Sequence, residues 1–504
     1  MNYERFSTGL KITNLDDFIT PTTACVLPVA GMAAPEGSVA APIYGTSAES
    51  SAPARVARIT LSDCLSCSGC LTSAETVLLD SQSVDAFRKQ CAEAVASGRM
   101  VVASVAPAAL ASLATHWGLQ TQRDALRELR TRLRPFGVRA VVGNGVGRAL
   151  SVLQTCQEAV QRLASIASPA APHPHVLMAS ACPGWTCYVE KTQPELVPCL
   201  SRAKSPQAMM GAWLKRRYGD AVWHCSIMPC YDKKLESMRA DLRSETDCVL
   251  ATTEVLELLA EGNSSPLEDP VPVNDVDAAP EEEEETWTTT GGLSGGYALQ
   301  VFRYVCRQEY HLLVPDEQLV LQLVRPKNAD LQQLLLYRDT TTGALSVGAT
   351  LPQAPASPRR YEVVYAVATA YGFRNIQNIV RRFKQAHAEA GARLPWDFIE
   401  VMACPSGCGN GGGQYRPEHA TQNGSSEGGA TVPSARAWKA QLQAVEQVYA
   451  AMPSMHPEQC EPAMQWWRRL EEEQPSALRC EYRAVTGANP ATNGSAAPAT
   501  ATEW

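Results

Sequence analysis

The chain has 504 residues, 45% apolar and 19% charged, which suits a globular protein with more than one core and excludes collagen, coiled coil and wholesale disorder. Its net charge of −8 is unevenly spread: ten acids and no Lys or Arg lie between Glu261 and Glu285, leaving 44 basic against 42 acidic residues elsewhere. A near-neutral body offers no case for nucleic-acid binding.

In chain order, Ala33 to Arg55 is Ala, Ser, Gly and Pro without apolar periodicity and reads as an unstructured insertion. Met100 to Val105 is a buried-strand candidate, followed by helical spacing from Pro107 to His116. Val138 to Gly143 predicts a second strand, with a helix running through Val160, and His175 to Ala179 a third. Val222 to Met228 and Cys248 to Thr252 continue the series, with Thr253 expected to cap a helix from Glu254 to Leu259. The acidic, Pro-rich stretch Gly262 to Glu285 reads as a linker. Beyond it, Tyr361 to Ala368 and Phe398 to Met402 are strands flanking a basic helix near Asn375 to Ala388. Thr421 to Arg436 and Thr486 to Thr502 lack the apolar surface needed to offset the entropy of ordering. Strand and helix in alternation predict an α/β core with parallel sheets, whose site lies at the carboxyl ends of the strands.

Seventeen cysteines are the compositional outlier. The opening Met1 to Phe6 has no basic or apolar leader region, and no run of about eighteen apolar residues occurs. The expectation is a reducing compartment, no membrane span, and thiolates used as metal ligands. Three cysteine motifs follow three predicted strands directly: Ser180-Ala181-Cys182-Pro183-Gly184-Trp185, Met228-Pro229-Cys230-Tyr231-Asp232-Lys233-Lys234, and the glycine-rich run from Ala403 through Cys404 and Cys408 to Gln414. Strand-end loops converge in space, so Cys182, Cys230, Cys404 and Cys408 are expected to supply four thiolates to one tetrahedral site. Buried, inert thiols are the competing reading. Near the N-terminus, Cys64, Cys67 and Cys70 have the spacing that opens a ferredoxin ligand run, and Cys25 is the expected fourth ligand. This set favours a [4Fe–4S] cubane, with four-cysteine zinc as the alternative.

The three strand-end motifs resemble the signature motifs of iron-only ([FeFe]) hydrogenases. They are closer still to the hydrogenase-like family of cytosolic iron–sulfur assembly factors, which includes the nuclear prelamin A recognition factor and its relatives. The likeness runs over nearly the whole chain outside the four unstructured stretches. It implies an iron-only-hydrogenase-like two-lobed core with parallel sheets flanked by helices, plus a small N-terminal iron–sulfur domain. The implied domains are 1–95 with the insertion 33–55, a first lobe over 96–260, an acidic linker over 261–286, a second lobe over 287–485 and a tail over 486–504. It also implies two [4Fe–4S] clusters, one on Cys25, Cys64, Cys67 and Cys70 and one on Cys182, Cys230, Cys404 and Cys408. Lys233 matches the lysine that in hydrogenases bonds the cyanide of a two-iron subcluster. True hydrogenases carry a proton-relay cysteine where this chain has Ala181, so the resemblance implies an assembly adaptor or transfer factor and not a turnover enzyme.

The partners implied are a scaffold P-loop NTPase complex and the cytosolic iron–sulfur targeting complex, with its WD40-propeller and HEAT-repeat subunits. The terminal Glu503-Trp504 resembles the tripeptide that docks on the latter, although Thr502 stands where an aliphatic residue is usual. Nucleic acid and membrane are not expected, and the location implied is cytoplasmic with a nuclear pool. A genuine hydrogenase and a lamin-binding nuclear relative are the alternatives. Cys91, Cys156, Cys187, Cys199, Cys225, Cys248, Cys306, Cys460 and Cys480 lack ligand spacing and read as core thiols. Gly291 to Gly296 reads as a close-approach loop, since it lacks the Lys-Ser/Thr of a phosphate loop. The basic helix reads as a solvated face.

Overall fold

The computed structural model describes residues 81–166, 175–261, 287–348, 350–351, 360–388, 393–416 and 435–484. Cys25, Cys64, Cys67, Cys70, the insertion 33–55, the acidic stretch 262–285, most of 421–436 and the tail with Glu503-Trp504 lie outside these residues.

The strands in chain order are β1 (Met100–Val105), β2 (Ala140–Gly143), β3 (Leu177–Ala179), β4 (Val222–Met228), β5 (Cys248–Ala251), β6 (Thr288–Thr289), β7 (Gln322–Leu323), β8 (Leu331–Asp339), β9 (Leu345–Gly348), β10 (Tyr361–Tyr371), β11 (Phe398–Met402) and β12 (Ser454–Met455). The first sheet has the order β2-β1-β4-β5 and is parallel throughout. Its strands are Val-rich and buried on both faces, as parallel strands covered by helices must be.

The predicted series splits at its third member. β3 leaves the first sheet and pairs in parallel with β11, which pairs in parallel with β10. Antiparallel strands β8, β7 and β9 extend this second sheet outward from β10. Sequence reading did not find β8, because Leu331-Gln-Gln-Leu-Leu-Leu is rich in residues that favour helices. Pairing with β10 over nine residues overrides that local preference.

The predicted helix that Thr253 was to cap instead begins at Thr252 and runs to Glu261. Glu254 reaches back to accept the Ala251 N–H at 2.8 Å, while Thr253 turns its N–H to the Gly413 carbonyl at 3.0 Å. Tertiary contact with the cysteine loop has displaced the local cap. The basic helix spans Phe373–Ala388, buries Ile376, Ile379, Val380 and Phe383, and pairs Lys384 with Glu195 at 2.9 Å.

The nine cysteines read as core thiols are all buried. Cys225 and Cys248 stand opposite each other across β4 and β5. The largest apolar core gathers Trp185, Phe302, Tyr365 and Phe398 around the second sheet. Among the described residues no helix is long and apolar enough to cross a membrane.

Candidate metal centre

β4 runs through Met228 into Pro229-Cys230, β3 runs through Ala179 into Ser180 to Cys182, and β11 runs through Met402 into Ala403-Cys404. The carboxyl ends of the two sheets face each other, as the bonds between their loops show. Gly413 donates its N–H to Pro229 O at 3.0 Å, and Thr252 Oγ1 donates to Gln414 Oε1 at 2.8 Å. Gln414 Nε2 in turn holds Ala108 O and Cys408 O. Ser180 Oγ bonds Val401 O, joining the first motif to β11, the strand that leads into the third.

Two glycines set the approach. A Cβ on Gly411 would stand 2.3 Å from Pro229 O, and one on Gly413 would stand 2.8 Å from Ala251 Cβ and 3.2 Å from Cys230 Cα. Any side chain there would force the third loop away from Cys230.

The four predicted cysteines feel one another. Cys182, Cys404 and Cys408 all act electrostatically on Cys230, and Cys408 acts on Cys182. Burial pushes the Cys182 thiol up to about 12, with the neighbouring Asp232 carboxylate adding to the shift. Burial raises Cys230 and Cys408 as well. Hydrogen bonds work in the opposite sense. Ala403 and Trp185 aim backbone N–H groups at the Cys182 sulfur, and the Ser294 hydroxyl bonds the Cys408 sulfur, which also feels the positive charges of Lys233 and Arg148. Cys182 occupies the N-cap of the helix Pro183–Thr192, where the backbone dipole favours an anion.

This donor set fits an iron–sulfur cluster. Four soft thiols lie on facing loops, donors stand ready for the anionic form of Cys182 and Cys408, and Gly411 and Gly413 let the third loop approach Cys230. Thiolates on one zinc lie within about 4 Å of each other, and among the described residues no group of three or more Cys, His, Asp or Glu is gathered tightly enough to hold one ion. The expected tetrahedral arrangement of the four thiols is therefore not drawn together among the described residues.

Lys233 Nζ is engaged with Glu236 Oε2 at 2.7 Å and Ser205 Oγ at 3.2 Å. Lys234, its neighbour, is fully buried and bonds Glu254 Oε1 at 2.6 Å and Gln82 O at 2.7 Å. Sequence reading passed over Asp232, Ser294, Tyr371, Glu400 and Arg148. The one signal in reach was Glu400, a carboxylate in the otherwise apolar strand Phe398–Met402. The predicted close-approach loop is observed: Gly291 and Gly296 touch so closely that a Cβ on Gly291 would meet Gly296 Cα at 2.5 Å. A cavity of about 640 Å³ lies elsewhere, between Glu158, Leu177, Leu200, Arg479 and Tyr482, and no motif cysteine lines it.

Residues 99–412 match the family model described as "Iron only hydrogenase large subunit, C-terminal domain". The chain is 35% identical to "Cytosolic iron-sulfur assembly component 3" of Rattus norvegicus over 96% of its own length and 98% of the relative's. Identity to the Mus musculus protein of the same name is 37%, over 82% and 85%. "Cytosolic Fe-S cluster assembly factor narfl" of Xenopus tropicalis is 35% identical over 96% and 98%. In fold, the chain is similar to an apo [FeFe]-hydrogenase of Chlamydomonas reinhardtii, with TM-score 0.54 and 21% identity over 79% of this chain and 99% of that one. A second [FeFe]-hydrogenase structure gives 0.57 and 22%, over 80% and 99%.

Proposed function

The chain belongs to the iron-only hydrogenase-like family of cytosolic iron–sulfur assembly factors, and we propose that it serves cytosolic iron–sulfur protein assembly as a carrier or adaptor holding two [4Fe–4S] clusters. The observation that carries this reading is the placement of Cys182, Cys230, Cys404 and Cys408 on strand-end loops of two facing sheets, where Cys230 feels the other three and the sulfurs of Cys182 and Cys408 are supplied with N–H and O–H donors. A cluster there would supply redox-active iron and labile sulfide. Cys182 takes two backbone N–H bonds, Ser294 bonds Cys408, and Gly411 and Gly413 admit the third loop. Asp232, Lys233 and Arg148 set the local charge. The second cluster is assigned to Cys25, Cys64, Cys67 and Cys70 in the region 1–95.

Hydrogen turnover is not part of the proposal. Ala181, at the position that the resemblance gives to the proton-relay cysteine, has no exchangeable side-chain proton. The role proposed is to link a scaffold P-loop NTPase complex to the targeting complex in the cytoplasm, with Glu503-Trp504 as the contact to the latter.

Iron, acid-labile sulfide and zinc per chain in anaerobically purified protein test the reading. Roughly eight iron and eight sulfide are expected from two cubanes, about half of each lost in Cys182→Ala. Zinc without sulfide refutes it. Infrared bands of bound CO and cyanide together with hydrogen evolution would establish a hydrogenase instead.

A further inference from the structure

Behind Cys408 a line of polar side chains runs into the core and ends on a buried carboxyl group. Ser294 Oγ accepts the Cys408 backbone N–H at 3.0 Å, and its single hydroxyl proton stands between the Cys408 sulfur and the Tyr371 phenol, available to one of them at a time. Tyr371 donates to Glu400 Oε1 at 2.9 Å. Gly407 permits this line: its φ is +73°, and a Cβ there would stand 2.0 Å from Ser294 Oγ and 3.3 Å from the Tyr371 ring.

Glu400 is 1% exposed. Its Oε2 accepts the Ala298 N–H at 2.9 Å, in the first turn of the helix Tyr297–Glu309, and the Gly296 N–H lies within bonding reach. The charged or titratable groups that face it are Tyr371 from β10, Tyr297 from that helix, Cys408 from the motif loop and Arg148 from the helix Gly145–Ile166. Arg148 is itself buried and donates to uncharged partners, Thr288 Oγ1, Tyr449 Oη and Gly292 O. Burial raises the Glu400 carboxyl above its ordinary range, with the bonds from Ala298 and Tyr371 opposing the shift.

Two hydrogen-bond orders are open to these groups. With Glu400 ionised, Tyr371 donates to the carboxylate and gives nothing to Ser294. With Glu400 protonated, the carboxyl can donate to Tyr371, Tyr371 to Ser294, and Ser294 to the Cys408 sulfur. The second order directs a chain of polarised O–H bonds at a cluster ligand, and hydrogen bonds to ligand sulfur favour the more negative state of a cluster.

We propose that Glu400 is a protonation site coupled to the charge on the cluster held by Cys182, Cys230, Cys404 and Cys408, with Tyr371 and Ser294 as the positioning residues that connect them. The inference rests on the cluster reading above. A one-electron donor of low potential reduces the cluster by one electron, and the Glu400 carboxylate takes one proton from solvent, so the net charge of the buried region is unchanged.

The test is an anaerobic titration of the full chain with dithionite, followed by electron paramagnetic resonance between pH 6 and 9. The signal to follow is the one that persists in Cys64→Ser protein. The potential is expected to fall with rising pH, approaching ~59 mV per tenfold change in proton concentration for a one-electron couple. In Glu400→Gln, which keeps an acceptor for the Ala298 N–H, the slope should vanish. In Tyr371→Phe it should flatten although the carboxyl remains. A pH-independent potential in the unaltered protein, or a slope retained in either variant, overturns the proposal. Iron and sulfide undiminished in Cys182→Ala would overturn the cluster reading itself, and the inference with it.

Discussion

Lys234 is the sharpest place to perturb the scaffold of the site without touching a thiol. It lies four residues past Cys230, is fully buried, and binds Glu254 at 2.6 Å and the Gln82 carbonyl at 2.7 Å, with its ammonium 5.7 Å from the Tyr231 ring centroid. Glu254 is 6% exposed at its side chain, and its other oxygen holds the Ala251 N–H at the end of β5. Lys234→Met therefore leaves a carboxylate buried without its counter-charge, at a cost of about 3–5 kcal/mol. That lowers the unfolding midpoint by on the order of 10 °C.

The cost also depends on pH. Burial already raises Glu254, and Lys234 is the largest influence opposing it. Without the lysine the folded-state value climbs further above the unfolded one, so the folded variant holds a proton that the unfolded chain has released. Its stability then falls as pH rises, by about 1.4 kcal/mol per unit over that window. Thermal melts of metal-free protein at pH 5.5 and 8.5 should show the larger loss at 8.5. Lys234→Met/Glu254→Gln, which removes both charges and keeps an acceptor for Ala251, should recover most of it. A loss below about 1 kcal/mol, or one indifferent to pH, would refute the reasoning.

Other outcomes follow from the same geometry. Gly411→Ala puts a Cβ 2.3 Å from Pro229 O and should cost about 1–3 kcal/mol through overpacking while reducing iron bound per chain, read by melting and iron assay. Ser406 adopts φ +59°, and its N–H holds Asp330 at 2.6 Å, so Ser406→Gly should relieve about 1 kcal/mol of left-handed strain and raise the melting midpoint slightly. Buried thiols such as Cys91, Cys182 and Cys480 are each pushed up to about 12 from 9.0. The unfolded chain then ionises first, and metal-free protein should lose stability from about pH 9 upward. A midpoint flat to pH 10.5 would contradict that. For the cluster set the same shift means that ligation releases protons, so iron and sulfide loading should be more complete at pH 8.5 than at 6.5.

The sequence by itself determined what local pattern encodes. β4 and β11 are mostly apolar runs, β4 with His224 and Ser226 and β11 with Glu400 inside them, and they emerge with the bounds their residues predict. The cysteines directly after them are placed by chain continuity alone, so their position at strand ends was legible. The nine unspaced cysteines read as core because a thiol without a ligand pattern behaves as a small hydrophobe. What tertiary structure decided depends on partners distant in the chain. β3 is three residues long and too short to declare its neighbour; β11, more than two hundred residues on, claims it for the second sheet. β8 carries helix-favouring residues and becomes a strand because β10 offers it a hydrogen-bonding edge. Thr253 has the chemistry of a cap but turns to Gly413, a contact absent from any local window. Glu400 shows the limit most plainly. In the sequence it is an acid interrupting an apolar strand, and only the fold brings Tyr371, Ser294 and the Ala298 N–H around it, giving a buried charge the partners that make its burial tolerable.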